Sequence, residues 1–123
     1  MLLISWTIDN FVTTSEGNSR EHWHKSAKRH NLQKDQVNIY LKDLKIYKYE
    51  YITIKLVRIS PRKLDIHDNL PMAFKYVVDA IADLMYPGKA AERADNTDLI
   101  EWKFDQEKGK PKQTGMRVEV YER

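Results

Sequence analysis

The residues from Asn69 to Met85 carry an apolar stripe that constrains the fold more than any other feature of the chain. Apolar residues recur there at spacings of three and four, the period of an amphipathic helix. Pro71 is compatible with such a helix, because a proline in the first turn gives up no needed N–H group. The stripe consists of Leu70, Phe74, Val77, Val78, Ile81, Leu84 and Met85. The pattern predicts one helix packed against a core.

Strands are predicted on both sides of this helix. Residues 48–60 alternate in polarity, and the even-numbered apolar residues are expected to form the core face of a strand that ends before Pro61. The opening residues 1–8 are β-branched and aromatic and predict another strand. Residues 98–106 and 115–123 are predicted to form two antiparallel strands joined as a hairpin by the lysine-rich loop 107–114.

The segment 19–44 contains no proline or glycine and predicts one or two helices, with Ser19 as the N-cap. Its apolar residues are sparse, and its first half is polar nearly all round. Core burial does not drive such a helix, so it is expected to lie across a surface or a partner. The element order is therefore strand, helix, strand, helix, strand, strand. This order predicts a single α/β domain over residues 1–123, with two main helices packed on a mixed sheet.

Composition excludes several classes of protein. At 123 residues there is room for one ordinary core, and 41% hydrophobic residues favour a folded chain. The absence of cysteine excludes a disulfide framework and a thiolate metal site. No apolar run reaches the roughly 18 residues that a membrane span needs, and the N-terminus lacks the features of a signal peptide. A cytoplasmic protein with no membrane contact is the expectation.

Carboxylates gather around the predicted helix although the net charge is +3. Asp65 and Asp68 come just before it, and Asp79 lies within it, four residues after Lys75 and on the same side. A solvated helix face with an ordinary Lys–Asp pair is enough to explain Lys75 and Asp79, but it does not explain the acids just before the helix. The crowding in "DIHDN" is better explained by hard oxygen ligands for Mg²⁺ or Mn²⁺, with Asp95 from the later "ADNTD" segment meeting Asp68 in space.

The second half of the chain resembles a known family. The stretches "LDIHDNLPMAFKYVVDAIADLM", "ADNTDLIEWKFDQ" and "GMRVEVYE" are similar to the phage and prophage branch of the RusA family of Holliday-junction endonucleases. In that pattern an Asp-Asn pair opens a helix, which carries a lysine and an aspartate four apart, and an Asp-rich turn precedes a strand. The segment "SREHWHKSAKR" also resembles the Arg-rich segment near the N-terminus of such phage proteins.

The resemblance implies a RusA-like fold and a small homodimeric enzyme that cuts four-way DNA junctions with Mg²⁺ or Mn²⁺. Asp68 matches a metal-binding aspartate of the family, and Asn69 matches its neighbour. Lys75 matches the helix lysine, Asp79 the second helix acid, and Asp95 the acid of the distal turn. Asp65 is the further candidate for the metal and catalytic set.

Two positions depart from the family pattern. Ile66 stands where the family has an acid two residues before the Asp-Asn pair, and Ala94 stands where the distal turn has paired acids. One ligand is therefore absent or is supplied by Asp65, His67 or Asp98. These departures leave a second hypothesis open, a branched-DNA-binding protein without catalysis. A small protein-interaction domain without metal is a third.

Cations outside the acidic region are the predicted contacts for the DNA backbone. The candidates are Arg20, Trp23, Lys25, Lys28, Arg29 and Lys34 in the polar helical segment and Lys108, Lys110 and Lys112 in the loop. Either group could instead serve solubility alone. His22 and His24 are two residues apart and point to different sides of a helix, so a zinc site is disfavoured. Trp102 is expected to be a packing residue.

Overall fold

The fold is described from a computed structural model, which covers residues 1–11, 23–47, 50–63, 69–86 and 99–123, with the backbone alone for 23–27 and 69. None of the described helices is both long and apolar enough to cross a membrane. The elements in chain order are β1 Leu2–Asp9, α1 Trp23–Tyr40, a 3-10 helix Lys42–Tyr47, β2 Ile52–Ser60, α2 Asn69–Ala73, α3 Lys75–Met85, β3 Ile100–Lys108 and β4 Gly115–Glu122.

The four strands of the described residues form one mixed sheet in the order β1-β4-β2-β3. β2 runs parallel to β3 and antiparallel to β4, and β1 runs antiparallel to β4. The chain passes from β2 to β3 through α2 and α3, which is the kind of helical crossover that a parallel pair requires. The predicted α/β class and mixed sheet are confirmed. The predicted hairpin is wrong, because β2 lies between β3 and β4. The loop that joins β3 to β4 therefore crosses the end of β2.

The core face of β2 is the even-numbered one, as predicted: Ile52, Ile54 and Leu56 are buried beneath the helices. Thr53 and Val57, on the other face, are buried as well. A strand with a neighbour on each side is covered by the side chains of both, so its alternation in burial is weaker than its alternation in sequence.

The apolar stripe of 69–85 is buried throughout, as predicted. The expectation of one continuous helix is wrong, because α2 ends at Ala73 and α3 begins at Lys75. At the break, the Phe74 N–H donates to the Pro71 carbonyl at 3.1 Å, and the Phe74 carbonyl accepts from the Val78 N–H at 2.8 Å. The Phe74 ring is fully buried and stacks on Phe104 of β3, with centroids 5.4 Å apart. Because the helix is interrupted, counting helical turns from residue 68 does not establish which side of the helix Asp79 shares with it.

Helix α1 is held to the core by its C-terminal half. Gln33 and Val37 are buried on the side that faces α3, and Leu41 is buried just after the helix ends. This half is therefore packed on the core. The expectation that the polar first half lies across a surface or a partner stays a prediction, because its side chains before Lys28 lie outside the described residues. Two other apolar residues of α1, Leu32 and Ile39, are 55% and 64% exposed.

Candidate functional site

Several predicted site residues lie outside the described residues. They include three predicted metal ligands, Asp65, Asp68 and Asp95, and one predicted DNA contact, Arg20. His67 and Asp98, the alternative ligands, lie outside them too. Trp23 and Lys25 belong to α1, whose side chains are described from Lys28 onward. The predicted site residues whose side chains are described lie on α1, on α3 and at the end of the sheet where β2 and β3 finish.

The segments that contain the predicted acids join the described fold at opposite ends of β2. Residues 64–68 follow Ser60, the last residue of β2, by way of Lys63. Residues 87–98 lead into Leu99, whose carbonyl accepts a hydrogen bond of 2.9 Å from the N–H of Ile52 at the start of β2. A strand rises about 3.3 Å per residue, so the two ends are roughly 26 Å apart. A cation shared by Asp68 and Asp95 requires the two segments to close that distance.

A groove between α1 and α3 contains one predicted ligand, Asp79. The groove has a volume of about 310 Å³ and includes Asp83, one turn further along α3. Its lining residues are His30, Asn31, Lys34, Tyr76, Asp79, Ala80 and Asp83. Lys75 begins α3 and is exposed, with its Nζ atom 5.5 Å from the centroid of the Tyr76 ring. The structure thus brings Asp79 together with Asp83 and the polar face of α1.

Two contacts join α1 and α3 beside this groove. The His30 ring stacks on the Tyr76 ring, with centroids 3.5 Å apart and an interplanar angle of 28°. Lys34 Nζ lies 4.0 Å from Asp83 Oδ2, and both side chains are more than half exposed. An exposed pair of this kind contributes at most about 1 kcal/mol to stability. Lys34, a predicted phosphate contact, therefore already has an acidic neighbour.

The donor chemistry of the predicted metal set fits a hard divalent cation. Asp65, Asp68, Asp79 and Asp95 offer carboxylate oxygens alone, and Mg²⁺ prefers a few such ligands while it keeps several waters. Asp79 is partly exposed in an open groove, which leaves room for those waters. Within the described residues, no group of three or more His, Asp or Glu side chains is arranged to hold a metal ion. The described fold thus supplies one candidate ligand, and the others belong to 64–68 and 87–98.

The C-terminal end of β2 is the basic end of the sheet. The predicted DNA contacts Lys108, Lys110 and Lys112 are exposed there, where β3 ends and the chain crosses to β4. Arg62 and Lys63, which follow β2 at the same end, are exposed as well. Neither residue was predicted from the sequence as a DNA contact, although "PRK" immediately precedes the segment with Asp65 and Asp68.

The face of the sheet that points away from the helices is charged but internally paired. Lys55 Nζ lies 3.4 Å from Asp105 Oδ2, and Lys103 Nζ lies 3.4 Å from Glu101 Oε1. The pKa of Asp105 is lowered, first by a hydrogen bond from the Gln106 N–H and then by Lys55. A lysine beside a carboxylate attracts phosphate less than a lone lysine does.

Arg117 binds two carboxylates on the same face. Its guanidinium pairs with Glu107, and its Nε donates to Glu119 Oε2 at 2.8 Å. Glu119 also accepts a hydrogen bond of 2.6 Å from the Tyr121 hydroxyl. The pKa of Glu119 is lowered chiefly by the Tyr121 hydrogen bond and then by Arg117, and the pKa of Glu107 is lowered chiefly by Arg117. Acids and bases neutralise one another here, so this face is poorly suited to DNA.

No protein-family model matches the chain, and no curated protein matches it. Its relation to the RusA family therefore stays a prediction from its own residues.

Proposed function

We propose that the protein is a metal-dependent endonuclease that cuts four-way DNA junctions, as the RusA resemblance implies. One observation supports this best. The segment with Asp65 and Asp68 begins directly after an exposed basic end of the sheet and leads directly into the helices that carry Lys75 and Asp79. Phosphate-binding cations and metal-binding acids thus adjoin one another along the chain, as a nuclease requires.

The proposed reaction is hydrolysis of a phosphodiester. Water attacks phosphorus, the bond from phosphorus to the leaving oxygen breaks, and a proton is transferred to that oxygen. Bound Mg²⁺ or Mn²⁺ supplies positive charge that stabilises the negative charge developing on the phosphate. Asp68 and Asp95 would hold the cation once segments 64–68 and 87–98 bring them together, with Asp65 or Asp79 completing the set.

Lys75 has the role of a second positive charge. Its ammonium is exposed on the first turn of α3, so a phosphate can approach it without displacing buried atoms. In the proposed enzyme it stabilises developing negative charge or positions the scissile phosphate. The Tyr76 ring lies 5.5 Å from that ammonium, and the Lys75 side chain stays exposed.

A homodimer suits a junction with two-fold symmetry, and the two edges of the sheet differ in a way that favours one interface. β3 carries charged side chains at Glu101, Lys103, Asp105, Glu107 and Lys108, a common protection of an exposed edge. β1 has no charged side chain before Asp9, and Leu2 and Leu3 are 49% and 38% exposed. Antiparallel pairing of β1 with β1 of a second copy brings no like side-chain charges together before Asp9. We propose this edge as the dimer contact.

The alternative function is binding of branched DNA without cleavage. Ile66 and Ala94 favour it, because each replaces an acid of the family pattern. Loss of one ligand weakens metal binding, whereas the basic end of the sheet is unaffected.

The test is cleavage of a synthetic four-way junction with Mg²⁺ and with Mn²⁺, alongside a binding assay in the presence of a chelator. Asp68→Asn and Asp95→Asn are the active-site variants. Asp43→Asn, which removes an exposed acid from the 3-10 helix, is the charge-matched control. The proposal expects paired nicks from the parent and the control but not from the two active-site variants. Binding without cleavage supports the alternative, and absence of binding contradicts both.

A further inference from the structure

The C-terminal end of β2 brings together cations that are far apart in the sequence. Ser60 and Lys108 are opposite one another in the parallel register of β2 and β3, so the residues that follow them leave the sheet side by side. The exposed cations of this basic end are Arg62, Lys63, Lys108, Lys110 and Lys112.

A hydrogen bond joins the two chain segments directly. The Gly109 N–H donates to the Ser60 carbonyl at 2.8 Å. A side chain at Gly109 would have little room, because a Cβ atom added there would lie 3.0 Å from Gln113 Oε1 and 3.2 Å from Ile59 Cγ2. The glycine therefore allows the loop to approach the end of β2 closely.

The lysine loop is closed by its own hydrogen bonds. The Lys110 N–H donates to Gln113 Oε1 at 2.8 Å, and the Gln113 N–H donates to the Lys110 carbonyl at 2.9 Å. Lys112 adopts a left-handed backbone with φ of 64°. A turn held in this way presents Lys110 and Lys112 from a defined backbone, so less ordering is needed when a ligand binds.

The segment after β2 is held from within. Arg58 is only 7% exposed, and its guanidinium donates to the carbonyl of Arg62. Burial lowers the pKa of Arg58, yet arginine stays charged at any physiological pH. The Arg62 backbone is therefore fixed by a buried cation, and its own guanidinium extends toward solvent.

Within the described residues, the cations of this basic end outnumber the acids. Glu107 is engaged by Arg117. Asp9 ends β1 opposite Gly115, and β4 separates it from β2. The five exposed cations thus leave this part of the described surface with an excess of positive charge, unlike the paired groups on the open face of the sheet.

We infer that Arg62 and Lys63 join Lys108, Lys110 and Lys112 in one phosphate-binding surface for the DNA backbone. The identity of the ligand as DNA rests on the proposed function. The position of Arg62 and Lys63 directly before the segment with Asp65 and Asp68 makes them the contacts nearest in sequence to the proposed cleavage chemistry. The planar fork of Arg62 suits bidentate binding to a phosphate.

The experiment measures binding of a labelled four-way junction, with a chelator present, over a series of salt concentrations. The variants are Arg62→Ala with Lys63→Ala, and Lys110→Ala with Lys112→Ala. The control is Lys42→Ala with Lys45→Ala, which removes two exposed lysines from the 3-10 helix. Far-UV circular dichroism and the melting temperature establish that each variant is folded.

We expect both basic-end variants to bind more weakly than the control. The slope of log K against log salt should become shallower by about 0.9 for each phosphate contact removed. A variant that exchanges the two residues, Arg62→Lys with Lys63→Arg, should keep the parental slope. A parental slope in the Arg62/Lys63 alanine variant overturns this inference and leaves the proposed function standing. Failure of the parent protein to bind any junction overturns both.

Discussion

The guanidinium of Arg58, buried at the end of the core face of β2, donates a hydrogen bond to the backbone carbonyl of Arg62. This contact joins the sheet to the segment that leads toward Asp65 and Asp68. A core position thus determines where a solvent-exposed turn lies. Arg58 is a positioning residue in the proposed function, since it acts on DNA only through the backbone of Arg62.

Replacement of Arg58 by methionine should lower the free energy of unfolding by about 1–3 kcal/mol, because a hydrogen bond from a charged donor is lost. Arg58→Lys keeps the positive charge but has a different donor geometry. Its free energy of unfolding should lie between those of the parent and the methionine variant. Urea denaturation measures both. A methionine variant more stable than the parent would show that the cost of burying the charge outweighs its hydrogen bonds, as happens for some buried ion pairs.

Removal of the Asp83 carboxylate should strengthen DNA binding. Lys34 lies 4.0 Å from that carboxylate, which competes with phosphate and repels it. Asp83→Asn should therefore improve junction affinity by about 0.2–1 kcal/mol, the scale of an exposed ion pair. Fluorescence anisotropy at low salt measures the change. Asp43→Asn controls for net charge, and an equal gain in that control would exclude a local effect at Lys34.

A lysine on the uncharged edge of the sheet should dissociate the proposed dimer. In a β1–β1 pair, Leu3→Lys brings two positive charges close to the shared edge. Ile46→Lys, at a position 69% exposed on the 3-10 helix, is the matched control. Light scattering after gel filtration should show a monomer for Leu3→Lys and a dimer for the parent and the control. A monomeric parent at every concentration would contradict this interface.

Acid should destabilise the fold partly through Arg117. The pKa values of Glu107 and Glu119 are lowered in the folded state, so the folded protein binds fewer protons than the unfolded chain. Their contribution is present above the ordinary glutamate pKa of 4.5 and is lost as pH falls through the lowered values. Arg117→Met should flatten the decline in unfolding free energy below that pH. Urea denaturation midpoints of the parent and the variant from pH 6 to pH 3 measure this pH dependence. A variant with the same pH profile as the parent would contradict a role for Arg117.

The sequence predicted those parts of the fold that depend on local periodicity. The apolar stripe from Leu70 to Met85 and the core face of β2 are visible in the spacing of residues alone. The neighbour of β3 was not predictable in this way, because alternation shows which face is buried but not which strand lies alongside. The break at Phe74 was also missed, since the apolar spacing continues through it.

The candidate site was predicted unevenly for a similar reason. Asp79 and Lys34 were selected from spacing and charge, yet their shared groove depends on how α1 packs on α3. Arg62 and Lys63 were missed because Lys108 and Lys110 are more than forty residues away along the chain. Only the parallel register of β2 and β3 brings them to one end of the sheet.

β4, the last of the described strands, lies inside the sheet rather than at its edge. β4 pairs with β1 on one side and β2 on the other, so β1 has no other strand partner among the described residues. During synthesis on the ribosome, β1 must therefore wait for Gly115–Glu122 to be made before its backbone can pair with β4. Premature termination before Gly115 separates the N-terminal strand from the rest of the sheet, and truncated products should be recognised as unfolded by cellular proteases.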